Sequence, residues 1–149
     1  MKKLGLRLSS TYKSLMYVIF LVLFVTGGIW LYEAYFMKAL DPYTPASHEL
    51  GQSAMKIHGG FSMFFLIMFG MLLATHIPYG IKSKKNFYSG MAMVTITFIL
   101  SVTGYLLYYV SSENIRDYAS IIHSIFGIVI PLVLVFHSRR NFLILRRYV

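Results

Sequence analysis

The chain lacks cysteine and is poor in charged residues, and both features restrict the class of protein to which it can belong. None of its 149 residues is cysteine, so it forms no disulfide and holds no metal cluster or prosthetic group through a thiolate. Only 13% of the residues are charged and 57% are hydrophobic, which is far more apolar than a typical soluble domain. The composition therefore predicts an integral membrane protein, and the length allows one domain.

Four long stretches contain no Asp, Glu, Lys or Arg: residues 14–32, 57–81, 86–112 and 118–138. Each can cross a hydrocarbon core of roughly 30 Å, which takes about 20 helical residues. The sequence predicts an all-α fold, a transmembrane four-helix bundle that forms a single domain over residues 1–149. We expect the spans at approximately 14–36, 54–80, 87–110 and 118–138. The first is predicted to be a retained span, because no signal-peptide cleavage site is visible.

The basic residues lie almost entirely on one side of this predicted topology. Eleven of the fourteen precede the first span, join the second to the third, or follow the fourth. All five acidic residues fall at the opposite ends of the spans, beside the other three basic residues. The positive-inside rule then predicts that both termini are cytoplasmic in a multi-pass protein of the bacterial inner membrane. The basic residues that produce the net charge of +9 flank the apolar spans and are explained by membrane topology. The charge therefore does not indicate a nucleic-acid partner.

A short internal repeat divides the chain into two halves. The string VTGG at residues 25–28 and the string VTGY at residues 102–105 each come late in a span. Each is followed by aromatic residues, a loop and an Ile-His pair, at residues 57–58 and 122–123. The pattern predicts two copies of a helical hairpin in one membrane, with the second and fourth spans parallel.

Four of the five histidines lie in the second and fourth spans, at two levels. His58 and His123 come near the predicted outer ends, and His76 and His137 near the inner ends. The intervals of 18 and 14 residues advance about 27 Å and 21 Å along a helix, and both return to about the same face. The spacing therefore predicts one pair of histidines near each membrane surface. The fifth, His48, lies in a loop and is predicted to be a solvated surface residue.

This arrangement favours bis-histidine ligation of haem, in which two neutral imidazoles approach the iron from opposite faces of the porphyrin. Such a site also needs small residues where the macrocycle edge presses on neighbouring helices. Gly90 and Gly104 are 14 residues apart in the third span, and Ser14 and Gly28 repeat that interval in the first. We expect two non-covalent haem b groups, with Gly28, Gly90 and Gly104 at their edges.

Taken together, the four spans, the paired histidines and the flanking glycines resemble the bacterial membrane di-haem cytochromes b. The resemblance is particularly to the cytochrome b subunits of formate dehydrogenases and nickel-iron hydrogenases, and it covers roughly residues 14–140 by spacing and topology. It implies that the axial ligands are His58, His76, His123 and His137. It also implies an electron-transfer subunit rather than a complete enzyme. That subunit would link the quinone pool to an extracytoplasmic iron–sulfur or multihaem partner in a respiratory or photosynthetic complex.

The two histidine intervals differ, which leaves one pair out of level by about 6 Å. Pro78 opposes the carbonyl of Ala74 and can bend the second span around His76, and Pro131 can bend the fourth span. Arg139 and Arg140 are expected to anchor the inner boundary or to meet a haem propionate. Two other functions stay open: a histidine-lined transporter of a transition metal, and a haem-free accessory subunit whose histidines form interhelical hydrogen bonds.

Overall fold

The computed structural model describes residues 8–37, 49–84 and 86–146, and the side chains of these residues except at Met37 and 139–146. The helices are α1 (Ser10–Tyr32), continued by a π-helical turn (Glu33–Met37), then α2 (Glu49–Ala74), α3 (His76–Ser83), α4 (Phe87–Tyr109) and α5 (Glu113–Arg146). These ranges contain no strand, and the all-α prediction is confirmed. His48 falls outside them.

Four segments are long and apolar enough to cross a membrane: Ser10–Phe36, Glu49–Ala74, Phe87–Tyr109 and Glu113–Ser138. Many of their large apolar side chains face outward; Leu21, Met63 and Phe98, for example, are 62%, 67% and 66% exposed. Such surface is unfavourable in water and favourable against lipid chains. The chain is therefore a multi-pass membrane protein whose helices contact the bilayer, as the composition predicts.

Helices α1 and α2 pack together and form the first hairpin. Its core joins Ile19 of α1 to Phe65 and Met68 of α2, and all three side chains are buried. Phe20 meets Phe65 edge-on, with ring centroids 5.0 Å apart, an arrangement that aromatic quadrupoles favour. This core packs α1 against α2.

Helices α4 and α5 pack together and form the second hairpin, with residues 110–112 between them. Helix α4 begins after Asn86, which adopts a left-handed conformation with φ of 53° that asparagine tolerates better than most residues. The Asn86 carbonyl accepts a hydrogen bond from the Gly90 N–H at 2.9 Å. Ile96 of α4 and Ile130 of α5 are buried in this hairpin. The predicted division into two hairpins thus has a structural counterpart in each half.

The second predicted span is interrupted at Thr75, where α2 ends and α3 begins. Pro78 has no N–H, and its ring opposes the carbonyl four residues earlier, at Ala74. The Thr75 hydroxyl donates to the Met71 carbonyl at 2.7 Å at the end of α2. His76 is therefore the first residue of a new helix, and the break lies where the Pro78 argument predicts a bend.

The fourth predicted span behaves differently, because α5 is continuous through Pro131. The helix extends beyond the predicted span 118–138 at both ends, from Glu113 to Arg146. Charged residues end an apolar window but do not end a helix, and Glu113 in the first turn suits the positive end of the helix dipole.

Candidate functional site

A hydrogen bond between α1 and α2 orients the imidazole of His58, near the predicted outer end of the first hairpin. Thr26, buried on α1, has its Oγ1 2.7 Å from the Val22 carbonyl oxygen and 3.0 Å from His58 Nδ1. A threonine hydroxyl has a single hydrogen, and here it is donated to the carbonyl one turn earlier. The hydroxyl oxygen is then the acceptor in its contact with His58, and Nδ1 is the donor.

This pattern assigns the tautomer of His58 from its hydrogen-bond network. With the proton on Nδ1, the lone pair of the neutral ring lies on Nε2. That nitrogen is the one able to bind a metal ion or accept a hydrogen bond. Metal-binding histidines commonly have this arrangement, in which the second ring nitrogen donates to a protein group.

The second hairpin repeats the arrangement at its outer end. Thr103 is buried on α4 and donates to the Ile99 carbonyl at 2.8 Å, while its Oγ1 lies 2.9 Å from His123 Nδ1. Because the single hydroxyl hydrogen of Thr103 is donated to that carbonyl, Nδ1 of His123 is the donor in their contact, and the lone pair of the ring lies on Nε2. The VTGG and VTGY strings therefore encode equivalent contacts with the two Ile-His pairs.

A third copy lies near the inner end of the second hairpin. Ser89 is buried near the start of α4 and donates to the Asn86 carbonyl at 3.1 Å, and its Oγ lies 2.9 Å from His137 Nδ1. His137 thus has the same assigned tautomer as His58 and His123. Three histidines therefore share one hydrogen-bond arrangement, in which Nδ1 donates to a hydroxyl that itself donates to a carbonyl of its own helix.

A glycine follows each of these hydroxyl residues and lies beside the imidazole. An ideal Cβ built on Gly27 would stand 3.3 Å from His58 Cε1. The corresponding distances are 3.6 Å from Gly104 to His123 Cε1 and 3.6 Å from Gly90 to His137 Cε1. The absence of a side chain lets each ring lie close to the neighbouring helix, which shortens the reach of the hydroxyl to Nδ1.

His76 departs from this pattern. Its Nδ1 is buried and has no hydrogen-bond partner among the described residues. Because VTGG and VTGY are 77 positions apart, the repeat sets Tyr12 and Lys13 in the places of Ser89 and Gly90. The Tyr12 hydroxyl donates instead to the Met68 carbonyl at 2.5 Å.

The surroundings of His76 favour its neutral form. This residue lies beyond the apolar segment that ends at Ala74, where burial lowers the pKa of His76 and the positive charge of Lys13 lowers it further. A neutral imidazole is the form that binds metal ions. The ring is therefore able to act as a ligand, but no described side chain fixes its tautomer.

The predicted site residues have different surroundings in the structure. Gly90 and Gly104 lie against histidine rings, whereas a Cβ on Gly28 would have no atom within 4 Å, and it is Gly27 that lies against His58. Arg139 and Arg140 belong to α5, but their side chains fall outside the described part of the chain. Four contacting residues were not predicted: Thr26, Gly27, Ser89 and Thr103. Their sequence signal is a hydroxyl residue directly followed by glycine, in VTGG, VTGY and the Ser-Gly pair at 89–90.

The described histidines are not part of a larger metal-binding cluster. Within the described ranges, no group of three or more His, Asp or Glu side chains converges as a metal-binding set. An isolated imidazole supplies one coordination bond, which suffices when a macrocycle supplies the other ligands. In comparisons with protein-family models, with curated proteins and with solved structures, the chain has no match.

Proposed function

We propose that this protein is a membrane-embedded cytochrome b that carries electrons through two non-covalent haem b groups. The observation that supports it best is that three intramembrane histidines make the same kind of hydrogen bond. Each of them donates from Nδ1 to an anchored hydroxyl and has its lone pair on Nε2. Keeping three imidazoles in this one tautomer within lipid-exposed hairpins suits axial ligation of iron.

The residues fit haem in their donor chemistry and in their small neighbours. Neutral imidazole nitrogens are the ligands of a bis-histidine haem, and the porphyrin supplies the remaining four nitrogens. The glycines beside the rings let each imidazole lie close to the neighbouring helix. Following the levels in the sequence, we assign His58 and His123 to the outer haem and His76 and His137 to the inner haem.

When bound, haem supplies reversible one-electron chemistry between ferrous and ferric iron. The chain has the tasks of holding the imidazoles neutral, orienting them and keeping water away. Thr26 and Thr103 perform the orienting task at the outer level, and Ser89 performs it for His137. The apolar helices around them provide the low-dielectric surroundings that tune a haem potential.

In this proposal the protein is one subunit of a redox complex in the bacterial cytoplasmic membrane, with both termini in the cytoplasm. The segregation of basic residues supports the orientation. The sequence contains no nucleotide-binding or flavin-binding motif, so the terminal chemistry belongs to a companion subunit. An extracytoplasmic iron–sulfur or multihaem protein would exchange electrons with it, and the quinone pool would lie at the other end of the path.

A haem-free accessory subunit is the second candidate, because the same hydrogen bonds also join α1 to α2 and α4 to α5. Interhelical bonds of this kind contribute roughly 0.6 kcal/mol on average in a membrane, which is enough for a structural role. The transport alternative receives less support, since the described residues supply no cluster of three or more His, Asp or Glu side chains. Haem content separates these candidates.

The test is to express the full chain in bacterial membranes with haem supplied, purify it in detergent and quantify haem per polypeptide. We expect about two equivalents with the absorption spectrum of low-spin b-type haem. His58→Ala and His123→Ala should each remove about one equivalent. His48→Ala, in a segment that the sequence predicts to be an external loop, serves as the matched control. Folded, monodisperse protein that binds no haem would contradict the proposal and favour the accessory role.

A further inference from the structure

Three hydroxyl residues each connect a histidine to the neighbouring helix of its own hairpin. Thr26, Thr103 and Ser89 each donate to a carbonyl of their own helix, at 2.7 Å, 2.8 Å and 3.1 Å. Each hydroxyl is thereby rotationally fixed and can only accept from the histidine that faces it. Ser101 makes the same kind of intrahelical bond, to the Thr97 carbonyl, without contacting a histidine. What distinguishes Thr26, Thr103 and Ser89 is the additional contact of each hydroxyl with a histidine Nδ1.

We infer that Thr26, Thr103 and Ser89 are positioning residues that set the strength of His58, His123 and His137 as iron ligands, an inference that rests on the proposed function. A hydrogen bond accepted from Nδ1–H fixes the ring orientation and raises the basicity of Nε2. The effect is larger in a low-dielectric interior than in water.

The consequence for a bound haem has a definite sign. A more basic axial imidazole donates more electron density to iron and stabilises the ferric state over the ferrous state. Removing the hydroxyl weakens that donation, so the midpoint potential of the haem it supports rises. Retention of the haem falls as well, and outer-sphere partners of this kind typically alter affinity by roughly 10- to 100-fold.

His76 provides an internal contrast within the same chain. Its Nδ1 is buried without a hydrogen-bond partner in the described structure. The residue that corresponds to Ser89 in the repeat is Tyr12, and its hydroxyl donates to the Met68 carbonyl. Its ring is therefore held less firmly than the rings of the other three histidines. The haem that takes His76 has one positioned ligand and one ligand without a positioning group.

The experiment compares three variants of helix α4 in the purified full-length holoprotein. Thr103→Val removes the hydroxyl with little change in shape, and Thr103→Ser keeps it. Ser101→Ala is the matched control, because the Ser101 hydroxyl donates to the Thr97 carbonyl at 2.8 Å on the same helix and serves no histidine. Redox titration and competitive haem transfer to an apoprotein acceptor are measured for each.

We expect Thr103→Val to raise the midpoint potential of one haem and to speed its loss by roughly 10-fold. Thr103→Ser should restore both values, and Ser101→Ala should leave both unchanged. Ser89→Ala, a smaller truncation, is measured in parallel and should shift the other haem, which keeps the inference testable where Thr103→Val does not accumulate.

Two results would overturn the inference while leaving the proposed function intact. One is a haem-loaded Thr103→Val or Ser89→Ala protein with wild-type potentials. The other is an equal shift in Ser101→Ala, which would assign the effect to general packing. Failure of the proposed function has a different readout, since the wild-type protein would then contain no haem at all.

Discussion

The two hairpins of this protein are built on one plan and differ at one end. At the outer end, Thr26 with His58 and Thr103 with His123 make the same contact, with Oγ1 to Nδ1 distances of 3.0 Å and 2.9 Å. At the inner end, the second hairpin repeats the contact through Ser89 and His137, whereas His76 of the first half has no such partner. Three described histidines therefore have an anchored hydroxyl partner, and His76 does not.

The cause of the difference lies in two local changes of sequence. Pro78 interrupts the helix just before His76, so that this histidine begins α3 instead of continuing α2. On the facing helix, the hydroxyl–glycine pair Ser89–Gly90 corresponds to Tyr12–Lys13, which are larger residues and include a charge. The comparison shows that, among the described residues, a histidine in one of these helices does not always have a hydroxyl partner.

The largest expected difference concerns the two inner histidines. His137→Ala should lose about one haem equivalent, because His76 alone has no group that fixes its ring. His76→Ala should retain most of the haem on His137, with the iron partly converted to a five-coordinate, high-spin form. Haem quantification together with optical and electron paramagnetic resonance spectra measures both quantities. Equal losses in the two variants would contradict the asymmetry of the inner site.

The glycines give a second contrast, between neighbours on α1. Gly27→Ala would place a Cβ 3.3 Å from His58 Cε1, so we expect a loss of about 1 to 3 kcal/mol from crowding. Gly28→Ala meets no atom within 4 Å and should stabilise the helix by about 0.5 to 1 kcal/mol, since alanine is the better helix former. Unfolding of the haem-free protein in mixed micelles measures both changes.

The haem content of the same two variants tests the prediction that Gly28 lies at the edge of a haem. A Gly28→Ala protein that is stable but poor in haem would support contact between this glycine and the macrocycle edge. Unchanged haem content would assign the open space at Gly28 to lipid or to another subunit. Equal stability of Gly27→Ala and Gly28→Ala would contradict crowding between a Cβ at position 27 and the His58 ring.

A smaller effect is expected at the outer end of the first hairpin, where a carboxylate caps α2. Glu33 Oε2 accepts from the Gly51 N–H at 2.8 Å. The corresponding position of the second hairpin is Val110, which has no such acceptor. Glu33→Ala should lower stability by about 1 kcal/mol, the usual effect of removing a helix cap, and Glu33→Gln should retain most of it by keeping an acceptor. Thermal unfolding in detergent checks this order, and equal stability of the two variants would refute the capping role.

The smallest expected effect is that of the tyrosine that replaces Ser89 in the repeat. Tyr12→Phe removes the hydroxyl that donates to the Met68 carbonyl and should cost about 1 kcal/mol or less. Tyr17→Phe, at an exposed position of α1, is the control and should be neutral. Because Tyr12 serves no histidine, haem potentials should not move in either variant, in contrast to Ser89→Ala. A shifted potential in Tyr12→Phe would mean that Tyr12 also acts on the inner site.

Several features of this fold can be predicted from the sequence because their causes are local. Charge-free windows give the four spans, and the ring of Pro78 gives the break before His76. The hydroxyl contacts could not be predicted in the same way, because the bond between Thr26 and His58 depends on how α1 and α2 pack. Successive residues on a helix are rotated by about 100°, so packing also decides that Gly27, and not Gly28, lies against the ring. The hydroxyl–glycine pairs are visible in the sequence, but their partners are visible only in three dimensions.

The most direct test of the account is the haem content and iron spin state of the purified, oxidised wild-type protein. Quantification gives the haem per chain, and low-temperature electron paramagnetic resonance gives the coordination of each iron. The account predicts about two haems per polypeptide, both low-spin with bis-histidine ligation, and with unequal potentials in a redox titration. A folded, monodisperse protein that contains no haem, or one whose iron is entirely high-spin, would contradict it.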